Sequence, residues 1–236
     1  MKHCTLDCDG TEAHASTATF RSLIWKPPPH YGTAVSIGEY SRTTGDLLLN
    51  TASEDHRGTP EAPGRVVTLI QRSFWETLHD PQRQTESDRV WGVAYHIIPA
   101  KVDEVREYLD LREINGYSIQ YTPFHPADPS IPDIHCLVYI GMPDNPQFLG
   151  ARPPQEIAET INASIGPSGE NREYLLQLEH ALNHLSPDSG DEHVTDLARR
   201  VRALPRPARV PPISPPEHAL KRVGSTEEQE EIEKEI

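Results

Sequence analysis

Glu113 is the residue best placed to do chemistry. It follows the run Lys101 to Arg112 and precedes Asn115-Gly116. A carboxylate at that end of a helix faces the negative pole of the helix dipole. Its protonated form is thereby favoured, which suits a group that takes up a proton and returns it. Glu113 can equally be read as solvated or as paired with Arg112, and these residues alone leave both readings open. Arg57 and Arg65 bracket the loop before the run Val66 to Ile70. Read alone, His56 and Arg57 are exposed loop residues, although arginine is the usual two-pronged partner of a carboxylate. Tyr139, inside an aliphatic run, could face a site or the core. His180 and His184 stand four apart, but Ala181 occupies the position where a protease-type zinc pair has its glutamate. They read as lining a solvated face. Cys4, Cys8, His3 and His14 lack the repeated pair spacing of a zinc site, so no metal is expected.

The elements that must position these residues follow from periodicity. Val102, Val105 and Leu109 recur at helical spacing, and Asn115-Gly116 supplies a stop. Strands are predicted over Val66 to Ile70, Val90 to Ile97, Tyr117 to Pro123 and His135 to Gly141. In the second of these, Trp91, Val93, Tyr95 and Ile97 are expected to face the core. Leu47-Leu48-Leu49 could make a short strand. Ser73 to Ser87 reads as a polar insertion. Pro153-Pro154 opens a helix expected to run to Ile165 and to close at Gly166. Ser168 is the expected N-cap of the next helix, whose stripe is Tyr174, Leu175, Leu178, Leu182 and Leu185. Asp191 to Leu204 is the last predicted helix. The fold class implied is α+β.

The whole chain sets bounds. It has 236 residues and a net charge of −14, which argues against nucleic acid and anionic membranes as partners. Three cysteines suggest no disulfide framework. No run reaches the length of a membrane helix, and a cytoplasmic location is expected. Residues 1–19 are predicted to be disordered. Residues 20–204 form the expected domain, and 205–236 a proline-rich linker with a charged tail.

Four blocks carry a resemblance. They are Asp55 to Pro60 with Pro63 to Leu69; Val90 to Tyr95; Tyr108 to Tyr117; and Gly166 to Gly169 through Asn171, Glu173, Tyr174 and Leu175. In this order they resemble the ChaC-type γ-glutamylcyclotransferases, which degrade glutathione. The resemblance runs from Ser53 to Leu204, and Ser22-Leu23-Ile24-Trp25-Lys26 also fits. It implies a mixed β-barrel surrounded by helices and Glu113 as the catalytic acid and base. It implies reduced glutathione as substrate, with no metal or organic cofactor. It also places the substrate at a turn formed by Phe20, Arg21, Ser22 and Leu23, with Arg57 and Tyr139 nearby. At that turn the family has Tyr-Gly-Ser-Leu preceded by another glycine, whereas Thr19 and Arg21 replace both glycines here and Phe20 lacks the hydroxyl. Gly32 to Ala52 departs from the family as well. A weakened carboxylate cradle is therefore expected. A rival reading rests on the same turn: a catalytically impaired relative that binds γ-glutamyl compounds or a partner.

Overall fold

The computed structural model describes residues 16–19, 34–41, 46–78, 89–112, 117–150 and 152–207. Seven strands lie in one sheet: β1 (Ser16–Thr19), β2 (Ala34–Ser41), β3 (Asp46–Ser53), β4 (Gly64–Ile70), β5 (Arg89–His96), β6 (Tyr117–Pro126) and β7 (Ile134–Gly141). Their order is β1-β5-β2-β6-β7-β4-β3, and β1 also pairs with β7, in parallel, at Thr17 and Leu137. Helices α1 (Arg72–Trp75), α2 (Val102–Arg112), α3 (Pro154–Ala163), α4 (Asn171–Leu185) and α5 (Glu192–Ala203) complete the described architecture, with a two-residue ribbon of β8 (Ile165–Gly166) and β9 (Gly169–Glu170). The fold is α+β.

The main core joins Val67 and Leu69 of β4, Val90 and Ala94 of β5, Phe124 of β6, and Cys136, Val138 and Ile140 of β7 to α3, α4 and α5. Strands buried on both faces read as near-continuous apolar runs; β4, buried at all but one of its positions, fits that rule. The last helix shows which force dominates. Val194, Leu197, Ala198 and Val201 are all buried. Each large aliphatic side chain contributes about 1.5–3 kcal/mol on burial. The Asp191 cap, which accepts from Val194 N at 2.8 Å, contributes about 1 kcal/mol. Packing outweighs capping. Arg172 ties the three helices together, donating through Nη1 to Asn162 Oδ1 at 2.6 Å and to the Val201 carbonyl.

Burial also decides the chemistry of Cys136. It has no exposed surface, and burial pushes its thiol up to about 12. The thiolate is the nucleophile, so iodoacetamide at pH 8 is expected to leave Cys136 unmodified in the native protein and to label it once urea unfolds the chain. Peptide mass mapping reads this directly, and labelling of native Cys136 at the unfolded rate would refute it.

Several sequence expectations need correction. Ser16–Thr19, assigned to the disordered segment, is β1; its Ser, Thr and Ala residues show no apolar alternation, and pairing with β5 and β7 orders it. The Gly32 to Ala52 stretch supplies two strands, β2 and β3, rather than one short patch. The supposed polar insertion begins with α1, whose Trp75 is buried against Ile70; residues 79–88 lie outside the described residues. Helix α3 stops at Ala163, not Ile165. Ile165 pairs with Glu170 in the ribbon and is exposed. Ser168 does not cap α4, which starts at Asn171 with Glu170 at the cap position and no side-chain bond; the Ser168 N–H donates to the His56 carbonyl at 2.9 Å. Both faces of β5 are buried, since Val90 and Ala94 join the main core while Val93 and Tyr95 join a second cluster.

Candidate active site

That second cluster fixes α2. Val93, Tyr95 and Ile97 bury themselves against Val105, with Val102 and Tyr139 packed on the same group. Asp103 and Glu104 occupy the first turn of α2, where carboxylates meet the positive pole of the dipole. Lys101 Nζ reaches Glu104 Oε2 at 2.5 Å. The helix is described as far as Arg112, and Glu113 is the next residue in the chain. Tyr139 stands opposite Ile119 across the β6–β7 pair and is half-buried. Tyr95 was missed as a candidate by the sequence reading. Burial raises the pKa of its phenol, so it remains a neutral hydroxyl able to donate a hydrogen bond beside α2.

Glu113, Phe20, Arg21, Ser22 and Leu23 lie outside the described residues. Of the predicted site residues, the structure therefore describes Arg57 and Tyr139, Arg57 beside Glu170 and Tyr174 and Tyr139 on β7 against the cluster that seats α2. Arg57 belongs to a clasp that joins the loop before β4 to the β8–β9 ribbon and the start of α4. Its backbone N donates to Ser53 Oγ at 2.9 Å, and its Nη1 to the Glu170 carbonyl at 3.4 Å. Its guanidinium lies 5.6 Å from the Tyr174 ring centre, a cation–π contact. His56 Nδ1 is 3.3 Å from Ser168 Oγ. Ser164 Oγ donates to the Pro63 carbonyl at 3.2 Å.

Asn171 holds the centre of the clasp and has no exposed surface. Its Oδ1 accepts from Arg65 N at 2.6 Å while its Nδ2 donates to Arg65 O at 2.7 Å. One amide side chain thus closes both polar groups of a residue at the end of β4, as a neighbouring strand would. Tyr174 Oη accepts from Val67 N at 3.3 Å, two residues further on. The Arg65 side chain is buried too, and its Nε and Nη1 have no hydrogen-bond partner among the described residues. Burial lowers the pKa of its guanidinium, Arg152 adds to that shift, and Glu156 opposes it. The signal for this clasp was present as glycines and an asparagine in two of the resembling blocks, but their pairing over more than a hundred residues was not.

Helix α2 thus packs beside a buried and a half-buried phenol, Tyr95 and Tyr139, and the start of α4 is a hydrogen-bonded joint to β4. Comparisons with known proteins agree with the blocks. A family model described as ChaC-like protein matches residues 19–204. The glutathione-specific γ-glutamylcyclotransferase of Schizosaccharomyces pombe is 40% identical over 188 residues, covering 78% of this chain and 90% of that protein. Glutathione-specific γ-glutamylcyclotransferase 1 of Danio rerio is 36% identical, covering 80% and 89%. Among solved structures, a yeast γ-glutamyl cyclotransferase specific to glutathione superposes with a TM-score of 0.67 at 30% identity, over 80% of this chain and 98% of that one.

Proposed function

The chain belongs to the ChaC-like family, and on that footing we propose that it is a glutathione-specific γ-glutamylcyclotransferase. It is an enzyme of the lyase class. The observation that carries the reading is α2, seated by Val102 and Val105 on Val93, Tyr95 and Ile97 beside Tyr139, and leading directly into Glu113.

The reaction is an intramolecular aminolysis. The free α-amine of the γ-glutamyl unit attacks its own γ-amide carbonyl, one C–N bond forms and another breaks, and a five-membered lactam leaves as 5-oxoproline. The proton lost by the amine ends on the departing nitrogen of cysteinylglycine, and no water is consumed. Glu113 carries that proton between the two nitrogens, a task worth about 10² to 10⁴ in rate. Holding the amine against the carbonyl supplies more, with effective molarities of about 10⁵ M and above. The turn Phe20–Leu23 supplies donors to the developing oxyanion. Arg21 crowds that turn, so turnover is slower than with glycine there. Tyr139 borders the substrate, and Arg57 is the carboxylate partner if its guanidinium leaves Tyr174.

Residues 20–204 are the working domain. Pairing of β1 with both β5 and β7 supports closure of the strands into a barrel. Among the described residues no helix is long and apolar enough to cross a membrane, and the proposed site of action is the cytoplasm. Incubation with reduced glutathione is expected to release 5-oxoproline and cysteinylglycine in equal amounts. Release of glutamate instead, or of neither product, would refute the reading.

A further inference from the structure

On the outer side of α4, His180 and His184 are both exposed, with ring centres 4.0 Å apart and planes tilted by 39°. Exposure agrees with the solvated face expected from sequence, but not with indifference between the two rings. His184 Nδ1 lies 2.7 Å from the His180 carbonyl oxygen. A carbonyl can only accept, so Nδ1 is the donor in this contact, and in the neutral ring Nε2 carries the lone pair. A ligating imidazole has this protonation pattern, since its second nitrogen is usually held by a backbone carbonyl or a carboxylate. Spacing of i and i+4 is also the spacing at which two helix imidazoles share one zinc ion.

We propose that His180 and His184 form a two-histidine chelate for a borderline divalent transition-metal ion of the Zn²⁺ type, bound through imidazole nitrogens. Among the described residues no third His, Cys, Asp or Glu completes a cluster. Water fills the remaining positions, so the site is an exchangeable surface site rather than a closed structural one. His180 also lines a groove of about 650 Å³, together with Glu170, Arg172, Glu173 and Arg206. The groove leaves room for the water shell of the ion. Ala181 stands where a hydrolytic site would need its glutamate, so the pair binds metal without activating water for proteolysis. The inference is independent of the cyclotransferase reading.

The test is calorimetric titration of the full chain with Zn²⁺ as wild type, His180→Ala, His184→Ala and His135→Ala. Alanine is the best helix former, so the two α4 variants keep the helix, and His135 is an exposed histidine on β7. His3, Cys4, Cys8 and His14 contribute equally to all four titrations and cancel in the differences. The expected result is one binding event weakened at least about tenfold in both His180→Ala and His184→Ala and unchanged in His135→Ala. Superimposable isotherms for wild type and His184→Ala, loss in just one of the two α4 variants, or equal loss in His135→Ala would overturn the chelate.

Discussion

Replacing Glu113 with glutamine is expected to abolish 5-oxoproline formation while leaving the fold intact. Glutamine keeps the length of the side chain and can still hydrogen-bond, but it cannot accept the proton of the attacking amine. The loss should therefore fall on kcat, by at least the factor of about 10² to 10⁴ that a positioned proton carrier contributes. The KM for glutathione should move little, because binding does not require the proton transfer. Stability should also hold. Among the described residues, the packing of α2 rests on Val102 and Val105 against Val93, Tyr95 and Ile97. Three measurements read the prediction: product release by chromatography, KM against kcat, and the thermal midpoint. Turnover at the wild-type rate would show that another group moves the proton. A collapse of the midpoint would show that Glu113 holds structure instead.

The parts of the fold that sequence could show are those built from local periodicity. Helix α2 was legible from Val102 and Val105 at helical spacing, and α5 from its apolar stripe and Asp191. Strands β4 and β7 were legible as short apolar runs. Strand β2 was not, because Ala34–Ser41 mixes Ser, Gly and Glu with single apolar residues. It is held between β5 and β6, with Gly38 opposite both Gly92 and Pro126. Partners that far apart in the chain leave no mark on local pattern. The same limit explains the ribbon. Ile165 continues the i, i+4 series of Ile157 and Ile161, so periodicity extended α3 through it, whereas pairing with Glu170 turned it outward. For the candidate site, the helix leading to Glu113 could be read, and Tyr139 could be placed on a strand. Nothing local could show that Arg57 meets Glu170 and Tyr174. Three of the four blocks that carry the family resemblance thus divide by physical role, one leading to the proposed catalytic carboxylate and two closing a joint.

That joint makes the second large effect a loss of stability. A Cβ built on Gly166 would lie 2.2 Å from the His56 carbonyl oxygen and 2.4 Å from Gly58 N. On Gly58 it would lie 2.0 Å from Gly64 N and 2.6 Å from the Ser53 carbonyl oxygen. All four neighbours are backbone atoms, so no rotamer change relieves the clash and the two segments must separate. Separation loosens the bond from Ser168 N to the His56 carbonyl and strains the Asn171 bridge to Arg65, leaving buried polar groups exposed to loss of their partners. The expected cost of Gly166→Ala or Gly58→Ala is about 4 kcal/mol, at the upper end for single substitutions. With about 2–4 °C per kcal/mol for a chain of this size, the midpoint should fall by roughly 8–16 °C. Gly150→Ala is the control. Gly150 has a φ of +71° with nothing within 4 Å of an added Cβ, so its substitution carries the conformational penalty alone, about 1–2 kcal/mol. The clasp argument requires both clasp variants to melt well below the control, because they add steric conflict to a site that needs no positive φ. Equal midpoints for Gly58→Ala and Gly150→Ala would mean the two segments part at little cost, and the joint would have to be reassigned to packing of α3, α4 and α5 alone.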